Sequence, residues 1–117
     1  MPSRNWKFRV HDILDAIGVV TDYINNMTSD DFAGDQRTVD AVVRRLTIIG
    51  MASTHIPAHV IKQNPDVPWD EMRAMRNFVV HEYFGVSVDI LWNTIRTDLP
   101  GIVKPLENLL EKNVIIE

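Results

Sequence analysis

Apolar side chains recur every three to four residues through most of this chain, a spacing that gathers them on one face of a helix and that a half-buried strand does not use. Phe8, Ile13, Leu14, Ile17, Val20, Ile24 and Met27 mark an amphipathic helix from about Trp6 to Met27. Asn25-Asn26 and the polar run Thr28-Ser29-Asp30-Asp31 end it, and Thr28 or Ser29 is placed to cap a short helix containing Phe32. After a break at Gly34-Asp35, the period resumes in Val39, Val42, Val43, Leu46, Ile49 and Gly50, from Gln36 to about His55. Pro57 is expected to end or kink that helix.

The stretch Lys62-Gln63-Asn64-Pro65-Asp66-Val67-Pro68 has two prolines and no periodicity, so it reads as a connection. Pro68 suits the first turn of the next helix, and Asp70 and Glu71 favour its N-terminus. That helix is expected to run through Met72, Met75, Phe78 and Val79 to about Phe84, with Gly85 as punctuation. Val88, Leu91, Trp92 and Ile95 carry another from Val86 to Thr97, and Pro100 is expected near the start of a last one ending around Lys112. The apolar tail Val114-Ile115-Ile116-Glu117 suits packing either on the bundle or on a partner. No strand alternation or internal repeat stands out. The expected fold class is all-α, an antiparallel bundle of four to five main helices forming one domain over residues 1–117.

Composition limits the function classes. No run approaches the roughly 20 consecutive apolar residues that cross a bilayer, and no apolar run follows the first charges as in a secretory signal. A cytoplasmic location is expected. With no cysteine, disulfides, thiolate metal sites and a cysteine nucleophile are excluded together. The 12 Lys and Arg against 16 Asp and Glu give a formal net charge of -4. Nucleic-acid binders usually carry a basic surplus, so contact with RNA would have to come from a local cluster.

The chemistry-bearing stretch is Arg76-Asn77-Phe78-Val79-Val80-His81-Glu82-Tyr83. On a helix, Arg76 and Tyr83 nearly eclipse, Asn77 and His81 share a face, and Arg76 and His81 stand about 140° apart. One helix therefore does not aim Arg76 and His81 at one small group. A cleft between two helices, or between two copies of the chain, would. These residue types suit RNA cleavage through the 2′-hydroxyl: a neutral histidine takes the proton, and an arginine holds the phosphate and stabilises charge on the transition state. Tyrosine offers a hydroxyl or a stacking face, and asparagine can orient the histidine or bind phosphate. No metal is needed for this set. As a bare pattern it is weak, since a histidine near a helix end is more often structural.

Met75-Arg76-Asn77 through His81-Glu82-Tyr83-Phe84-Gly85, then Asp89-Ile90-Leu91-Trp92 and Ile95 to Leu99-Pro100, resembles the HepT-like family of the HEPN superfamily. That family's signature is Arg, four to six residues, His, any residue, Tyr, which Arg76, His81 and Tyr83 satisfy. Asp12-Ile13-Leu14 with Ala16-Ile17 resembles its first helix. Asp35 to Val42 with Arg45-Leu46 and Ile48-Ile49-Gly50 resembles its second long helix, and Asn64-Pro65 with Pro68-Trp69 its loop before the motif. The likeness is colinear over about residues 8 to 110.

The resemblance implies a dimeric helical bundle whose Arg–His motifs face one composite cleft. It implies a metal-independent endoribonuclease toxin acting on tRNA or mRNA, in a type VII toxin–antitoxin pair with a minimal nucleotidyltransferase. That antitoxin would transfer AMP to Tyr83, placing a bulky anionic group beside Arg76 and His81. Arg76 and His81 are then the expected catalytic pair, with Asn77, Arg73 and Arg45 as supporting RNA contacts. The alternative is a non-catalytic binding partner or substrate of the nucleotidyltransferase, which the acidic balance favours. The chain departs from many relatives at Gly50-Met51-Ala52, where they have Gly-Glu-Ala, so any role of a carboxylate there is lost or moved. Arg44-Arg45 replaces Arg-Asn and adds local positive charge.

Other features have plainer readings. His55 and His59 have a metal-binding spacing, but Pro57 between them is expected to break the helix, so no metal site is assigned. His11 reads as a surface residue, Met51, Met72 and Met75 as core filler, and Trp6, Trp69 and Trp92 as packing anchors. Arg44-Arg45 suits a solvated helix face as well as a phosphate contact.

Overall fold

The computed structural model describes residues 5–77 and 87–114. Among these the regular elements are all helical: α1 Trp6–Tyr23, α2 Ser29–Ala33, α3 Gln36–Ser53, α4 Ala58–Gln63, α5 Trp69–Ala74, α6 Val88–Asn93, a π-helical turn Thr94–Asp98, and α7 Leu99–Val114. The all-α expectation is borne out. None of these helices is long and apolar enough to cross a membrane.

Three long helices hold the core. Val10, Ile13, Ile17 and Val20 of α1, Val42, Leu46 and Ile49 of α3, and Leu99, Ile102, Leu106 and Leu109 of α7 are all buried. Their steps of three and four residues form the apolar stripes expected of packed helices. α1 lies along α3 and also touches α7, while α5 packs on α3. Removing each of these side chains from water contributes about 1.5–3 kcal/mol before the entropic cost of ordering it.

Local chemistry sets the boundaries. α1 stops at Tyr23, a turn earlier than its apolar period, because the chain reverses through Asn26 at φ 65. Asparagine tolerates that left-handed conformation better than most residues. Thr28 caps α2 with a reciprocal pair: its hydroxyl accepts from the Asp31 amide at 3.1 Å, and its own amide donates to Asp31 Oδ2 at 3.0 Å. Buried Phe32 fixes α2, its ring 5.2 Å from that of Trp92.

Four expectations need correction. The stretch 62–68 is a connection only from Asn64 on: Lys62 and Gln63 close a short helix, α4 Ala58–Gln63, which begins after Pro57 and is anchored by buried Val60. The helix expected from Pro68 to about Phe84 is interrupted. α5 ends at Ala74, and Met75 and Arg76 form a turn in which the Met75 amide donates to Met72 O at 3.1 Å. This tighter bonding lets Met72 and Met75, three residues apart, both be buried. The separate helices expected on either side of Pro100 are joined, α6 running through the π turn into α7. Pro100 cannot donate a backbone hydrogen bond and its ring crowds the preceding turn. The wider turn, in which the Leu99 amide donates to Thr94 O, carries the chain past it. Finally, Phe8 and Met51, read as inward-facing, are 56% and 52% exposed, while Met72 and Met75 lie in the core as expected.

Candidate active site

The approach to the motif is built from the loop before α5. Trp69 is buried and its indole Nε1 donates to Asn64 O at 3.0 Å, while Asn64 Nδ2 donates to Val60 O at 2.8 Å. These bonds tie α4, the loop and the start of α5 into one unit. Met72 and Met75 then press α5 and its final turn onto α3.

Arg76 follows at once, and its side chain is exposed. Its backbone is pressed against α3 at Gly50. A Cβ built on Gly50 would lie 2.5 Å from Arg76 N, 2.8 Å from its Cβ and 3.0 Å from its Cα. The motif thus begins on the one position of α3 where the helices can come this close. Asn77 is the last described residue before the gap and is also exposed. His81 and Tyr83, and with them the angle between Arg76 and His81, lie outside the described residues, as does the tail 115–117.

The other expected supporting residues are placed apart. Arg73 is partly exposed and forms an ion pair with Asp70 of its own helix, so its charge is already partly answered. Arg45 is half-buried and leaves α3 five residues before Gly50, about 140° around the helix from the edge Arg76 occupies. Arg45 and Arg76 thus start from different sides of α3. Its neighbour Arg44 is exposed and lines an open groove of 460 Å³ between α1 and α3, with Arg9, Asp12, Asp40, Met51 and His55 among its walls. Arg9 Nε is buried there without a hydrogen-bond partner in the structure. A second exposed arginine, Arg96, lies over the Trp92 ring at 5.4 Å to its centroid. Neither Arg9 nor Arg96 was marked by the sequence reading, since isolated arginines on helix faces carry no pattern.

No group of three His, Cys, Asp or Glu suited to a metal occurs among the described residues. His55 falls in the turn after α3 and His59 in α4, so the break at Pro57 separates them as expected. His11 is exposed, also as expected.

Comparison with known proteins supplies what geometry alone does not. The family model described as ribonuclease HepT-like matches residues 13–112. A probable ribonuclease HepT of Thermococcus cleftensis is 39% identical over 107 residues, covering 92% of this chain and 97% of that protein. A protein of Methanocaldococcus jannaschii with a provisional RNase name is 33% identical over 111 residues, covering 95% of this chain and 92% of its own length. One of Caldanaerobacter subterraneus, similarly named, is 34% identical over 100 residues, covering 86% and 89%. No solved structure is a significant match. A match over nearly the whole described bundle, on a chain that keeps Arg76, His81 and Tyr83 in order, places this protein in the HepT-like ribonuclease family.

Proposed function

We propose that the chain is a metal-independent endoribonuclease toxin that cleaves tRNA or mRNA as a homodimer. In this reading it is neutralised by a minimal nucleotidyltransferase antitoxin of a type VII pair. The observation that carries the reading is Arg76, exposed at the head of the motif while its backbone is held against α3. An arginine so placed can offer paired donors to a phosphodiester without first being released from an internal partner.

Catalysis then follows from two side chains. His81 takes the proton of the 2′-hydroxyl, and the 2′-oxygen attacks the neighbouring phosphorus. The bond from phosphorus to the 5′-oxygen breaks, leaving a 2′,3′-cyclic phosphate and a 5′-hydroxyl once the leaving oxygen is protonated. Arg76 stabilises the charge that builds on the phosphoryl oxygens. Asn77, exposed beside Arg76, supports the phosphate, and Arg73 and Arg45 extend the RNA contact. Tyr83 is the acceptor for AMP: its hydroxyl attacks the α-phosphate of ATP and pyrophosphate leaves. The added phosphate brings negative charge to the place RNA must occupy.

Purified protein should cleave RNA with a chelator present. Arg76→Ala and His81→Ala should each lower the rate by about 10²–10⁴-fold with the helical fold intact. Cleavage that survives both substitutions rejects the assignment.

The net charge of -4 favours a second reading, a non-catalytic binding partner of the nucleotidyltransferase. A chain that gains AMP on Tyr83 by mass spectrometry, yet never cleaves RNA before the modification, would establish that reading instead.

A further inference from the structure

The geometry points to Gly50 as the positioning residue for Arg76, an inference that rests on the ribonuclease reading above. Gly18, Gly50 and Gly101 all lie inside long helices, where glycine costs about 1 kcal/mol of helix stability relative to alanine, and of the three only Gly50 has a close neighbour that a side chain would meet. A methyl group on Gly50 would fall 2.5 Å from Arg76 N and 2.8 Å from Arg76 Cβ. Real Cβ atoms do not approach other atoms that closely, so either α3 or the Arg76 turn must yield. α3 is held along its length by buried Val42, Leu46, Ile49 and Ser53. The turn at Met75 and Arg76 is short, and Arg76 itself is exposed. The displacement therefore falls on Arg76. The other glycines of the long helices differ in kind, since a Cβ on Gly18 or Gly101 meets nothing within 4 Å.

Gly50 touches no substrate in this account. It sets where the Arg76 backbone sits, and so where the guanidinium meets the phosphate. A misplacement of about 1 Å can lower an enzymatic rate by on the order of 10²-fold.

The test is a cycle of wild type, Gly50→Ala, Arg76→Ala and the double variant, with Gly18→Ala as the control for adding a methyl group to a helical glycine in open space. Two readouts are taken: cleavage of RNA, and binding of the same RNA made uncleavable by 2′-O-methylation. Gly50→Ala is expected to lower cleavage toward the level of Arg76→Ala and to weaken binding by a comparable factor. The double variant should bind no more weakly than Arg76→Ala alone, because Gly50 acts only through that guanidinium. The shift in Tm caused by Gly50→Ala should be the same in both backgrounds, since Arg76→Ala keeps the N, Cα and Cβ atoms that the new methyl group meets. A purely structural effect would instead weaken binding equally in both backgrounds.

Gly50→Ala that cleaves and binds as Gly18→Ala does, or a binding loss that adds fully to that of Arg76→Ala, overturns the inference while leaving the ribonuclease reading in place. Wild-type protein that does not cleave RNA overturns the ribonuclease reading and the inference with it, whereas Arg76→Ala that cleaves as well as wild type removes Arg76 from the machinery and overturns the inference alone. If Gly50→Ala does not fold, Met75→Ala, which removes the buried side chain seating the same turn, takes its place: a binding loss that disappears in the Arg76→Ala background supports the seating of Arg76 by this contact, and no loss or a fully additive one overturns the inference.

Discussion

Asp35 begins α3 and secures its first turn through Thr38, whose amide donates to one carboxylate oxygen at 3.2 Å and whose hydroxyl donates to the other at 2.8 Å. The hydroxyl bond is the main reason the Asp35 pKa lies below its usual 3.8; the Thr38 amide follows, the Arg37 amide and charge add to it, and slight desolvation opposes it. A carboxylate with a lowered folded pKa contributes stability above its unfolded pKa of about 3.9 and loses it as pH falls through the folded value. Asp35→Asn keeps a capping oxygen but cannot titrate. The stability difference between wild type and Asp35→Asn, measured by denaturant unfolding, should be constant from neutral pH to about pH 4 and shrink below it. Parallel curves down to pH 2 would reject this. The break at Gly34-Asp35 was readable from residue type alone, because a cap is a local device. The exposure of Met51 was not, since an apolar residue inside a helical period looks the same whether it faces a core or an open groove.

Among the elements, α2 is the least able to stand by itself. Five residues do not sustain a helix in water, so Ser29–Ala33 depends on its capping pair and on Phe32. Phe32 is fully buried and stacks obliquely on Trp92 of α6, which joins α2 to the second half of the chain. Phe32→Ala should cost about 3–5 kcal/mol in denaturant unfolding. A loss under 1 kcal/mol would mean that α2 is held elsewhere. This helix was foreseen because its capping residues and its one aromatic lie within five positions. α4 was missed because it is six residues long, starts after a proline and carries a single buried residue, Val60. The interruption after Ala74 was missed for a different reason. Apolar spacing runs straight through Met72, Met75 and Phe78, and only the contact with α3 shows where the backbone tightens.

At the scale of the molecule, one chain presents Arg76 outward, and Arg45 leaves α3 on another side; the proposed function shares the RNA site between two subunits. The proposed homodimer would pair Arg76 of one subunit with His81 of the other across a composite cleft. Mixing inactive Arg76→Ala and His81→Ala proteins under conditions of subunit exchange should then restore cleavage, since each mixed dimer regains one intact pair. Ultracentrifugation should show a dimer at micromolar concentration. A monomer there, or no recovery after verified exchange, would place both groups in one chain or remove the pairing. The family could be recognised in the sequence because its motif and flanking segments keep their order. How the net acidic chain meets RNA could not, since that depends on which few cations end up on one surface. The wide turn at Thr94–Asp98 has a consequence for how such chains tolerate change. It holds one residue more than an ordinary helical turn, and everything downstream stays in phase with the interior because the turn widens to absorb that surplus. Tightening the turn to ordinary helical bonding with its residue count unchanged would swing Leu99, Ile102, Leu106 and Leu109 by about 100° away from the neighbours they now meet, whereas excising one residue would regularise the bonding and leave them facing inward. Apart from buried Ile95, which is tied to the interior, this is the place where the helix can give up one residue of length and keep α7 in step.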